Sequence, residues 1–192
     1  ESDFVLYLHA GSVLRPDALA EIARMHRVDP GLKVIAFDSD ERGAFGGRNP
    51  RFRPEWSPEM LLGQNYLGRA FAASASLSTG LTELSDRGIW QMLLTGGLDA
   101  RTVGRLPKVL LREPRRTRPA LVQADADMVV DALARLGETA TASIDPTGIV
   151  RVRFVPETWP TVSIVVPTRH NRANMGRFLA SLATTDYPHF DL

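Results

Sequence analysis

Val162-Ser163-Ile164-Val165-Val166, followed by Pro167-Thr168-Arg169-His170-Asn171, decides the fold class of this chain. Four of the first five residues are apolar and most are β-branched, the composition of a strand covered on both faces. The polar turn then leads into a segment with Met175, Phe178, Leu179 and Leu182 at helical spacing. A buried strand, a turn and an amphipathic helix open an α/β unit with a parallel sheet. Such a sheet needs further strands, yet the sequence stops at Leu192, and at its other end Phe4-Val5-Leu6-Tyr7-Leu8 begins a second buried run almost at once. The reading therefore expects an excerpt from a longer protein, with the back of one domain and the front of the next.

Between these ends the elements can be traced outward. Pro16 is expected at the first position of a helix that buries Leu19, Ile22 and Ala23 and ends at Asp29-Pro30-Gly31. Lys33–Phe37 reads as a buried strand, with Asp38-Ser39-Asp40 as a solvated turn after it. Gly43, Gly46, Gly47 and Pro50 give loop composition. Ile89–Leu94 reads as helix ending at Gly96-Gly97, and Thr102–Leu111 as a strand interrupted near Pro107. Ala124–Leu136 is an amphipathic helix, and two β-like stretches flank Asp145-Pro146-Thr147-Gly148, a hairpin turn. Two prolines in Pro156-Glu157-Thr158-Trp159-Pro160 keep either neighbour from continuing through it. The expected organisation is residues 1–118 as the C-terminal part of a first domain, 119–155 as a helix and hairpin appendage, 156–161 as linker and 162–192 as the start of a second domain.

Composition narrows the function classes. The 192 residues are 44% hydrophobic and 23% charged, ordinary globular values, and a net charge of +1 argues against a nucleic-acid partner. No Cys is present, which removes disulfides and thiolate metal sites and fits a reducing, cytoplasmic setting. One local imbalance stands out: Arg101, Arg105, Lys108, Arg112, Arg115, Arg116 and Arg118 surround a single Glu113. Two readings stay open, a solvated loop leaving a strand, or a patch facing a diphosphate or the anionic inner face of a membrane, which would bring peripheral membrane contact.

Two segments resemble the family 2 glycosyltransferases, in particular bacterial proteins with two such domains in tandem. Pro50-Arg51-Phe52-Arg53-Pro54-Glu55-Trp56-Ser57-Pro58-Glu59-Met60-Leu61-Leu62, followed by Gln64-Asn65-Tyr66-Leu67-Gly68, is similar to that family's P-x-F-K-P-D-W-S-P-D-L-L-L-S-Q-N-Y-I-G element. Val162–Leu192 is similar to its opening V-S-I-I-I-P-T-x-N-R, down to Thr185-Asp186-Tyr187-Pro188. The resemblance implies a Rossmann-like GT-A fold, with the acceptor half of one domain here and the first strand and helix of another. It implies transfer of sugar from a nucleotide-sugar donor to a glycan or lipid-linked glycan acceptor in surface polysaccharide synthesis. A Mg²⁺ or Mn²⁺ ion would neutralise the leaving diphosphate, and a carboxylate would take the acceptor's proton.

The resemblance also places site residues and shows where this chain departs. The family's metal motif, D-x-D, follows a strand like Phe4–Leu8, where this chain has His9-Ala10-Gly11-Ser12. A later metal-side His is replaced within Val109-Leu110-Leu111-Arg112-Glu113-Pro114. No metal ligand is therefore assigned in the first domain. Ser85-Asp86-Arg87-Gly88 stands where the family carries its base, making Asp86 the catalytic candidate, with a helix N-cap as the alternative. Pro167, Thr168, Arg169 and Asn171 match the loop that holds the nucleotide, and Trp56, Asn65 and Tyr66 are candidates for the acceptor side. A decayed domain, kept as a scaffold or glycan-holding module beside an active second domain, is the competing expectation.

Overall fold

The computed structural model describes residues 3–43, 48–81, 83–115, 119–169 and 171–192. The chain forms two compact units, 1–154 and 155–192.

The first unit is built on a mixed sheet in the order β1-β5-β3-β6-β2. Its strands are β1 (Phe4–Leu6), β2 (Val13–Leu14), β3 (Val34–Arg42), β4 (Arg48–Arg51), β5 (Phe71–Ser74) and β6 (Val103–Glu113). The central strand β3 runs parallel to β6 on one side. On its other side it is antiparallel to β5 along Val34–Ala36 and then to β4 along Ser39–Arg42. Val34-Ile35-Ala36-Phe37 alternates between two cores, as a strand covered on both faces must.

Against one face lies α1 (Ala18–Val28), whose Ala18 and Ile22 pack with Ile35, Phe37, Ala72 and Leu110. Against the other lie α2 (Pro58–Gly63), α4 (Asp86–Thr95), α5 (Gln123–Arg135) and the hairpin of β7 (Ala140–Ile144) and β8 (Val150–Phe154). The short α3 (Ala75–Ser78) follows β5 directly. Trp90 is buried in this second core, and its indole N–H donates to the Leu61 carbonyl at 2.7 Å, tying α4 to α2. The helix and hairpin from 119 onward thus complete this core.

Several expectations change. β1 ends at Leu6 and is an antiparallel, half-buried edge strand. Pro16 lies two residues before α1, and Leu19 and Ala23 face solvent, because the buried stripe runs through Ala18, Ile22 and Met25. Asp38-Ser39-Asp40 is no solvated turn: it continues β3 with all three residues buried. Pro50 belongs to β4, while Gly46 and Gly47 lie outside the described residues. The interruption at Pro107 is real. β6 has two extra residues, Pro107 and Lys108, between the partners of Phe37 and Asp38, and a third, Leu110, before the partner of Ser39. The hairpin turn forms as expected, with the Asp145 carboxylate accepting from the Thr147 and Ile149 N–H groups.

The second unit contains β9 (Val162–Ser163), α6 (Arg172–Leu182) and β10 (Phe190–Asp191), with β9 and β10 parallel. The run expected as a buried strand is short and exposed here, Val165 most of all. In α6, Met175, Phe178 and Leu182 are half-buried and Leu179 is exposed. Trp159 packs edge-on against Tyr187, whose hydroxyl donates to the Pro160 carbonyl at 2.6 Å. Among the described residues no helix is long and apolar enough to cross a membrane.

Candidate functional site

Three strand ends converge in the first unit. β1 and β2 occupy opposite edges of the sheet, so the segment joining them carries His9 across the carboxyl ends of β1, β3 and β6. Ligands of open α/β sheets bind outside those strand ends. A cavity of about 670 Å³ lies there, lined by His9, by Glu41 from the end of β3 and by Glu113 from the end of β6. The amino ends of α4 and α5 contribute Asp86 and Asp125.

Four of the cavity's carboxylates, those of Glu41, Glu113, Asp86 and Asp125, are held by guanidinium groups. Glu41 and Glu113 stand side by side on neighbouring strands, an arrangement that would repel if bare. Arg51 Nη2 donates to Glu41 Oε2 at 2.5 Å, and Arg53 Nη2 donates to Glu113 Oε1 at 3.2 Å. Arg53 is only 3% exposed, and its other donors reach the Leu67 and Arg51 carbonyls and Ser39 Oγ. Arg105 Nε donates to the Arg53 carbonyl at 2.6 Å and its Nη2 faces Asp38 at 3.4 Å. Asp38 Oδ1 also accepts from the Arg53 backbone N–H at 2.8 Å. The Asp-Ser-Asp segment is thus the buried anchor of the segment that supplies Arg51 and Arg53.

Asp86 sits in this cavity. Ser85 is the N-cap of α4, its Oγ accepting from the Gly88 N–H, so the Asp86 carboxylate is left for other partners. Arg69 Nε donates to Asp86 Oδ1 at 2.9 Å, and His9 Nε2 lies 3.9 Å from the same oxygen. Next to it in the chain, Arg87 Nε donates to Asp125 Oδ1 at 2.7 Å, and Asp125 Oδ2 accepts from the Val122 N–H at 2.8 Å. The Asp125 hydrogen bond, with the charges of Asp125 and Glu83, holds the Arg87 proton more firmly than usual.

The other sequence candidates distribute differently. Asn65 lines the cavity, but its side chain closes its own turn, exchanging hydrogen bonds with the Gly68 backbone at 3.0 and 3.2 Å. Trp56 packs partly buried against the core, outside the cavity lining. Tyr66 also lies outside it: its hydroxyl accepts from the Ser57 N–H, and burial pushes its pKa above the ordinary phenol value. Pro167, Thr168, Arg169 and Asn171 belong to the second unit, where the first three form an exposed loop. Asn171 Oδ1 caps α6 by accepting from the Asn174 N–H. His170 lies outside the described residues.

Of the basic cluster, Arg101 lies in the turn before β6 and Arg115 is exposed beyond its end, while three members are paired strand residues. Arg105, Lys108 and Arg112 lie within β6 and face Asp38, Glu21 and Asp40 respectively. Arg116 and Arg118 fall outside the described residues. Arg69, Arg87, Glu41 and Asp125 were not singled out in the sequence, because nothing local marks them. Arg51 and Arg53 stood inside the quoted Pro50–Gly68 element, so that element was the available sign.

Of the donors near the strand ends, His9 supplies one imidazole and Gly11 no side chain, Asp86 is engaged by Arg69, and Glu41 and Glu113 are engaged by Arg51 and Arg53. Among the described residues no group of three or more His, Asp or Glu could hold a metal ion.

No family model matches the chain. It is 30% identical over 206 residues to the O-antigen biosynthesis protein RfbC of Myxococcus xanthus, an alignment covering 99% of this chain and 16% of that protein. It is 26% identical over 208 residues to the uncharacterized protein y4gI of Sinorhizobium fredii, covering 98% of this chain and 23% of that protein. The chain thus spans less than a quarter of the length of these two relatives.

Proposed function

We propose that this chain is part of a glycosyltransferase that builds a surface polysaccharide, and that its first unit carries the acceptor side of a GT-A-like domain. The observation that supports this most is the place of Asp86, at the amino end of α4, inside a cavity beyond the carboxyl ends of two parallel strands. The name of the Myxococcus relative, which speaks of O-antigen biosynthesis, agrees with a glycan as product.

In this reading a hydroxyl of the glycan or lipid-linked acceptor enters the cavity and donates to Asp86. The carboxylate takes the proton as that oxygen attacks the anomeric carbon of the nucleotide-sugar donor, and the nucleoside diphosphate leaves with the bonding pair. Arg69 holds the Asp86 carboxylate through Oδ1 where it lines the cavity. No step is routed through a cation in this unit. The second unit would contribute Pro167, Thr168, Arg169 and Asn171 to a nucleotide site of its own.

A non-catalytic role for the first unit is the second reading, favoured by His9-Ala10-Gly11-Ser12, which offers no paired carboxylates. The two are separated by Asp86→Asn in the full-length protein with the second domain inactivated. Asn keeps the size of the side chain and removes its basicity. Sugar transfer from nucleotide-sugar donors is expected to fall by roughly 10²-fold or more, with the melting temperature nearly unchanged. Transfer equal to the parent would remove Asp86 from the chemistry, and no transfer by the parent would leave the first unit a scaffold.

A further inference from the structure

Most carboxylates in the cavity of the first unit are paired with a guanidinium, Glu83 being a further one in the lining, and this balance says what kind of ligand it accepts. Arg51 holds Glu41, Arg53 holds Glu113, Arg69 holds Asp86 and Arg87 holds Asp125, at 2.5 to 3.2 Å. The pairs come from β3, β4, β6, α4, α5 and the segments between them, so the matching belongs to the folded cavity and to no single motif. A guanidinium has five N–H donors and a carboxylate about four acceptor sites, and one pairing consumes only a few of them. The cavity therefore presents donors and acceptors side by side, and with Glu83 its lining holds more carboxylates than guanidinium groups.

Part of the lining has another character. Pro114, Pro119, Ala120, Leu121 and Val122 contribute to it, with Val122 50% exposed. A ligand that fits the whole lining needs an apolar face and an edge of groups that both donate and accept. Sugar rings have this form: axial C–H bonds make one face, and each hydroxyl donates to a carboxylate while accepting from a guanidinium. A carboxylate or phosphate on the ligand would meet a lining in which carboxylates outnumber guanidinium groups. Drawing an Arg toward it would weaken the hold on Asp125 or Glu113, each nearly buried.

We infer that the cavity selects an uncharged, polyhydroxylated sugar as the end of its acceptor and rejects uronic acids and phosphorylated sugars. This rests on the reading of the cavity as an acceptor site. The test uses the full-length protein and three disaccharides of identical ring structure that carry a hydroxymethyl, a carboxylate or a phosphate at carbon 6. Their dissociation constants are measured by titration calorimetry at low and high salt.

The uncharged disaccharide is expected to bind tightest, with little salt dependence, and the two anionic forms more weakly by about tenfold or more. Arg87→Met should weaken the uncharged form by about tenfold by stranding Asp125, and Arg87→Lys should recover part of the loss. Anionic forms that bind as well as or better than the uncharged one, with the same loss in Arg87→Met, would overturn the selectivity while leaving the cavity a glycan site. An uncharged disaccharide that fails to bind, or binds equally to both Arg87 variants and the parent, would overturn the acceptor site itself and the selectivity with it.

Discussion

Asp38 has a side chain 3% exposed in the middle of a sheet, a costly place for a carboxylate unless every lone pair is used. It is used: the Arg53 N–H and the Arg105 guanidinium converge on it. Asp38→Ala is therefore expected to cost about 3 kcal/mol, because it leaves a half-buried guanidinium and a buried N–H without their partner. Urea unfolding would measure it, and a loss below that of an exposed Asp17→Ala control would contradict the account. The same residue shows what the sequence concealed. Asp38-Ser39-Asp40 reads as a polar turn because its partners stand 15, 67 and 72 residues away, at the Arg53 backbone N–H and the Arg105 and Arg112 guanidinium groups. A resemblance marked Asp86 as a candidate, whereas its partner Arg69, 17 residues earlier, carried no mark of its own.

Among the elements, α4 depends on a close approach at Gly88. A Cβ there would lie 2.1 Å from the Glu83 carbonyl oxygen, a backbone atom that cannot swing aside. Gly88→Ala is expected to shift the 83–88 turn, weaken the fold by about 1–3 kcal/mol and carry Asp86 and Arg87 out of place. Loss of disaccharide binding together with the melting shift would show this; a shift without the loss would separate the turn from the cavity. The β7–β8 hairpin has a different sensitivity. Hydrogen bonds from the Thr147 hydroxyl and the turn's N–H groups hold the Asp145 carboxyl below its ordinary value. A carboxylate depressed in the fold contributes stability above its unfolded pKa, and that contribution fades as pH falls below about 4 toward the folded value. In Asp145→Ala the acid limb of stability should be flatter than in the parent, as a melting series from neutral pH to pH 2 would record. Helix and hairpin positions were readable from periodicity and turn chemistry, while faces were less so. In α1 both Ala18–Ile22 and Leu19–Ala23 lie one turn apart, and only the packing against β3 and β6 chooses the first pair.

For the molecule as a whole, α/β character was visible in the apolar runs, but the mixed pairing of the sheet was not. β3 meets β6 in parallel only after β4, α2, β5, α3 and α4 have intervened, and no local pattern specifies partners so far apart. The extra residues of β6 give that long-range pairing a consequence of its own. They act as a spacer that sets which residue arrives where. Downstream of Pro107 and Lys108, Arg112 comes to rest beside Asp40 and Glu113 beside Glu41. Loss of one residue from this spacer would advance everything beyond it by one place and turn each side chain to the other face. Deleting Lys108 should thus be far more damaging than replacing it by Ala, which removes only its contact with Glu21. Thermal melts of the two variants would compare them, and equal stability would mean that the spacer carries no phase. Kept, it makes the number of residues between Leu106 and Leu111 a stricter requirement of the sheet than the identity of the exposed Lys108 side chain.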